Sequence, residues 1–94
     1  MKFSLEIIMS NTEGALERIL GCLRQRGFSL CSISANQTLD QRAMSAMVTL
    51  ESSRSMDLAV KQVRKLYDVQ HVRVEEVEEE GNGYRQLRAA ASQA

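Results

Sequence analysis

Polar and apolar residues alternate from the start of the chain. Residues 2–9 (KFSLEIIM) put Phe3, Leu5 and Ile7 on one face, the period-two signature of a strand. Ser10-Asn11-Thr12 then offers several N-cap side chains, and Ser10 with Glu13 has capping-box spacing. The period next lengthens to that of a helix. Leu16, Ile19, Leu20 and Leu23 form its apolar stripe, with Glu17, Arg18, Arg24 and Arg26 around the other side. Arg24 and Arg26 fall in the last turn, where cations suit the helix dipole. Gly27 stands where a left-handed residue would end the helix.

Phe28, Leu30, Ile33 and Ala35 predict a second strand. The alternation slips by one between Leu30 and Ile33, so a bulge is expected near Cys31-Ser32, where one extra residue restores the face. Residues 38–42 are a polar turn. Met44, Ala46, Val48 and Leu50 alternate with Ser45, Met47 and Thr49, giving a third strand and a hairpin. Ser52 to Ser55 is a helix-start cluster with Asp57 in the first turn. Met56, Ala59, Val60, Val63 and Leu66 form a second helical stripe, and Val69, Val72 and Val74 a fourth strand. The order is β-α-β-β-α-β. Right-handed crossovers onto an antiparallel sheet then give an α+β, ferredoxin-like fold: four strands, with both helices on one face.

From Glu75 the character changes. Glu75 to Glu80 is acidic apart from Val77, and Gly81-Asn82-Gly83 is a break. One domain is expected over residues 1–77. An acidic, flexible C-terminal tail is expected over 78–94, with a short helix at 84–94 as the sharper alternative.

Composition narrows the function classes. Hydrophobic residues make up 44% of the 94-residue chain but aromatics only 4%, so the core must be aliphatic. A chain of this size buries roughly 60–65% of its unfolded surface, so a partner chain would help its stability. Twelve basic residues balance twelve acidic ones, which gives no electrostatic reason to expect nucleic acid or an anionic membrane as partner. Met1-Lys2 leads straight into the alternating segment, and no apolar run approaches the ~20 residues of a membrane span. A cytoplasmic location is expected. Cys22 and Cys31 fit neither a disulfide framework nor a metal site, and small buried thiols are expected of both.

A catalytic constellation is hard to assemble. His71, the single histidine, has charged and polar neighbours on a predicted strand and reads as a surface residue. No phosphate loop, CxxC pair or nucleophile elbow is present. The third strand lacks the exposed aromatics of an RNA-binding sheet. An acylphosphatase-like enzyme fits the length, but the loop after the first strand is acidic and has one glycine. That glycine, Gly14, is the informative residue. Read as lying in the first helical turn, it costs up to about 1 kcal/mol relative to alanine. A backbone that must be approached closely would justify the cost. Free N–H groups at a helix start favour a carboxylate, and the amide of Asn11 can donate and accept. A carboxylate-bearing small-molecule site and a simple capped helix with a tolerated glycine both fit these residues.

Asn11-Thr12-Glu13-Gly14-Ala15-Leu16 followed by Arg26-Gly27-Phe28 resembles the start of an ACT domain, and more closely the small regulatory subunits of acetolactate synthase (acetohydroxyacid synthase). Ser53-Arg54-Ser55-Met56-Asp57-Leu58 and the stretch from Lys65 to Val72 (KLYDVQHV) are also similar. With Cys31-Ser32, they look most like the short small subunit of the second enterobacterial isozyme. The resemblance covers roughly residues 2–75. It implies a non-catalytic chain that binds a large subunit and raises its activity in valine, leucine and isoleucine biosynthesis. No cofactor is implied for this chain; thiamine diphosphate, magnesium and FAD would belong to the large subunit.

The resemblance also implies a homodimer through the second strand, with a branched-chain amino acid as candidate effector at the seam. Carried over by position, the effector residues are Asn11, Gly14, Ala15, Leu16 and Ser29. The dimer residues are Ser29, Leu30, Cys31, Ser32 and Ile33. Valine-responsive relatives tend to carry asparagine at position 29. Serine lacks the amide pair, so a weak or absent valine response is expected. The alternatives are a free-standing amino-acid-binding ACT protein acting on another partner and, behind it, the acylphosphatase-like enzyme.

Overall fold

The computed structural model describes residues 1–78, apart from the side chains of Glu76 and Glu78. Its elements follow the predicted order: β1 (Lys2–Ser10), α1 (Ala15–Gln25), β2 (Ser29–Gln37), β3 (Ala43–Glu51), α2 (Met56–Arg64) and β4 (Val69–Glu78). The strands form one antiparallel sheet in the order β2-β3-β1-β4. β1 lies between β3 and β4, which is why its alternation is the cleanest in the chain. Phe3, Leu5, Ile7 and Met9 are fully buried, with Ala46, Val48 and Leu50 of β3 beside them. Ala15, Ile19 and Leu23 of α1 and Ala59 and Val63 of α2 join the same core. Phe3 and Phe28 meet edge to face, with ring centroids 6.0 Å apart.

The predicted bulge forms. Leu30 pairs with Leu50 and Ser32 with Thr49, leaving Cys31 as the extra residue. Gly27 ends α1 at φ 92°. Its N–H donates to the Arg24 carbonyl, and Phe28 N–H to that of Leu23. Ser55 caps α2 by accepting from the Asp57 N–H at 3.1 Å.

Three expectations are corrected. The Ser10–Glu13 capping box is absent, because Ser10 is the last residue of β1 and α1 starts only at Ala15, with no side-chain cap. Cys31 is exposed, because β2 is an edge strand with no outer neighbour, and Cys22 on α1 is only half-buried. β4 runs past its valines to Glu78, because pairing with Lys2–Ser4 continues the ladder through Glu76 to Glu78. The acidic run thus begins as sheet: Glu75 and Glu6 both bind Arg73, at 3.0 and 2.8 Å. The tail and its helix lie, from residue 79 onward, outside the described residues. Among the described residues no helix is long and apolar enough to cross a membrane.

Candidate functional site

The loop between β1 and α1 carries the candidate site. Met9 ends the buried face of β1, and Ser10 closes onto its neighbours: its N–H donates to the Asp68 carbonyl at 2.8 Å. Asn11 then ties the loop to the β2–β3 hairpin. Its backbone N–H donates to the Arg42 carbonyl at 3.0 Å, and its side-chain amide donates to the Gln41 carbonyl at 2.8 Å. Gln41 holds φ 61° in that turn. One of the two N–H donors of the Asn11 amide is therefore used within the chain.

Gly14 stands at the N-cap of α1 with φ 81°, ψ −1°. This corrects the placement inside the first helical turn. Its conformational demand is the left-handed region, where a Cβ costs about 1–2 kcal/mol. A Cβ there would also meet Arg18 Nη1 at 3.0 Å. With no side-chain cap, the helix start keeps its donors. Among the described residues the N–H groups of Glu13, Gly14, Leu16 and Glu17 donate to no backbone carbonyl. Such donors at a helix N-terminus favour an anion.

A recess of about 280 Å³ opens over this loop. Asn11, Gly14, Ala15 and Leu16 line it, with Met9 and Met44 from the neighbouring strands. That is just below the roughly 300–1,000 Å³ of ligand pockets, so only something small, of about amino-acid size, would fit. Glu13 and Glu17, both exposed, also border the recess, so the rim carries acidic residues beside the anion-seeking amides. Four of the five predicted effector residues are thus brought together.

Ser29 is not among them. It pairs with Glu51 at the start of β2, whereas Gln37 at the far end pairs with Met44. At about 3.3 Å per residue the two ends of β2 stand roughly 25 Å apart. The predicted dimer residues Ser29, Leu30, Cys31, Ser32 and Ile33 do lie together on the sheet edge, all exposed. His71 is exposed, and among the described residues no three His, Cys, Asp or Glu side chains gather as a metal site.

Sequence reasoning missed Asp68 and Arg18. Asp68 Oδ2 receives Arg18 Nε at 2.8 Å and lies 2.6 Å from its Nη2, while Oδ1 accepts from the Thr12 hydroxyl at 3.0 Å. The signal available was an aspartate preceding the fourth-strand valines, with no indication of a partner 50 residues away.

Comparison with known proteins fixes the family. The ACT domain model matches residues 11–72. The chain is 41% identical over 59 residues to the acetolactate synthase isozyme 2 small subunit of Escherichia coli K12, covering 63% of this chain and 68% of that one. It is 32% identical over 74 residues to the isozyme 3 small subunit of the same organism, covering 77% of this chain but only 45% of that longer protein. Among solved structures, the acetolactate synthase small subunit of Thermotoga maritima superposes with a TM-score of 0.71 at 15% identity, covering 96% of this chain and 67% of the other. The ACT domain of the Chlorobium tepidum GTP pyrophosphokinase superposes with a TM-score of 0.68 at 13% identity, covering 80% and 97%. These two structures share the fold; the sequence matches carry the kinship. The chain belongs to the ACT domain family and, within it, to the small subunits of acetolactate synthase.

Proposed function

We propose that the chain is a non-catalytic regulatory subunit that binds the catalytic large subunit of acetolactate synthase and raises its activity in branched-chain amino acid biosynthesis. The observation that carries this reading is the match to the isozyme 2 small subunit across 68% of that protein. Thiamine diphosphate, magnesium and FAD belong, on this reading, to the large subunit, and the location is cytoplasmic.

Two copies pair through β2, extending the sheet to eight strands. β2 is an edge strand whose nine residues are all exposed, and Leu30 and Ile33 remain 38% and 39% accessible. An edge of this kind is a template for another strand. Antiparallel pairing centred on Ile33 sets Ser29 of the partner subunit beside Gln37, and Gln37 pairs with Met44 of the recess. The seam thereby supplies the residue that one chain alone leaves roughly 25 Å away along β2.

An amino acid effector would place its carboxylate on the loop amides and its ammonium group toward Glu13 and Glu17. At the seam, Ser29 offers one hydroxyl where an asparagine would offer an amide pair. One lost buried polar partner costs about 1–3 kcal/mol, the size of a whole allosteric coupling. The valine response is accordingly weak or absent.

Mixing the purified chain with the large subunit tests the reading. Co-elution and faster acetolactate formation are expected. No co-elution and no rate change would reject it, and clear inhibition by millimolar valine would reject the reading of Ser29.

A further inference from the structure

We propose that Arg18 and Asp68 are positioning residues: their ion pair holds loop 11–14 in its ligand-receiving shape and couples it to the corner between α2 and β4. The proposal rests on the reading of that loop as the effector site. Asp68 is the only buried charged residue among the described residues, 2% exposed. A buried carboxylate is costly to desolvate and is retained where its partners meet its geometry. Here they come from both sides of the loop. Ser10 donates its N–H to the Asp68 carbonyl, Thr12 its hydroxyl to Oδ1, and Arg18 its Nε to Oδ2. One residue thus fixes the end of β1, the loop and the first turns of α1.

Arg18 completes the clamp. It reaches back over Gly14, Nη1 lying 3.0 Å from where a Cβ would be, and its Nη2 donates to the Glu13 carbonyl at 3.4 Å. Neither Arg18 nor Asp68 lines the recess, so both act through the loop they hold. Asp68 engages the Nε and Nη2 edge of the guanidinium, which fixes the side chain across the loop. Tyr67, next in sequence to Asp68, is 89% exposed and stands at the corner where a loop movement would be felt.

Amide hydrogen exchange on the full unliganded chain tests the clamp in wild type, Thr12→Val and Asp68→Asn. Thr12→Val removes one hydrogen bond from an exposed residue and keeps the fold even where Asp68→Asn does not. Exchange over residues 10–15 is expected to quicken roughly tenfold while β3 is unchanged. No change in the loop, or an equal rise in β3 with Thr12→Val, overturns the proposal. The coupling has a second readout, because the chain has no tryptophan and Tyr67→Trp supplies one. With L-valine and L-leucine as probes, an emission shift that vanishes on adding Asp68→Asn supports the coupling, and one that persists overturns it. If neither amino acid shifts the emission while calorimetry shows leucine binding, the coupling fails and the effector reading stands; if calorimetry shows no binding either, the effector reading fails, and the exchange data still decide the clamp.

Discussion

β1 and β2 are each nine residues long and each alternate through most of their length, yet their surroundings differ completely. β1 has a hydrogen-bonded neighbour on both sides, and every second side chain is buried. β2 has β3 alone, and none of its residues is buried. Alternation declares that a strand has an apolar face; the position in the sheet decides whether its own chain covers it. In this molecule the fold is held at β1, and the apolar residues of β2 stay exposed on the sheet edge.

Substitutions that break this contrast should differ in kind. Ile7→Ala, at the centre of β1, is expected to cost about 2–5 kcal/mol, a large part of the 5–15 kcal/mol typical of a domain. Urea denaturation reads it as a fall in midpoint. Ile33→Lys, at the centre of β2, should leave protomer folding within about 0.5 kcal/mol. It should weaken association by roughly 2 kcal/mol or more, because the two-fold axis sets the new charge against itself. Light scattering checks this as a shift from dimer to monomer mass; an unchanged mass would place the interface elsewhere.

Gly14→Ala sharpens the comparison between loop and strands. The φ of 81° is expected to cost about 1–2 kcal/mol, and Arg18 must move from the added methyl. The loss should appear in thermal unfolding together with faster exchange in the loop. The smallest effect belongs to the hairpin turn. The Thr38 hydroxyl, and then the Arg42 N–H, hold the Asp40 carboxyl below its usual value of 3.8. A lowered carboxylate pKa contributes stability that is present at neutral pH and fades as pH falls below 3.8 through the folded value. Asp40→Asn should flatten that part of the acid unfolding curve and change little at pH 7, as read by circular dichroism.

Most of the architecture was legible because it is local. Period two and period 3.6 mark the elements, the slip between Leu30 and Ile33 marks the bulge, and Gly27 marks the end of α1. The errors arose where tertiary pairing overrules a local signal. Ser10 has the spacing of a cap but is recruited by β1, leaving Gly14 to turn the chain into α1. Glu75 to Glu78 reads as a solvated run but is extended by pairing with β1. Cys31 reads as an ordinary small thiol, and its exposure depends on β2 having no outer neighbour. In the site, the run from Asn11 to Leu16 was visible as a contiguous motif. The Arg18–Asp68 clamp was not, since no local pattern relates residues 50 positions apart.

The most direct test titrates the catalytic large subunit with the wild-type chain and with Ile33→Lys, following acetolactate formation. A saturable rise with the wild-type chain, displaced to higher concentration or lost with Ile33→Lys, is the predicted result. No rise with the wild-type chain would contradict the assignment as an activating subunit. Identical curves for the two would contradict β2 as the seam on which that subunit is built.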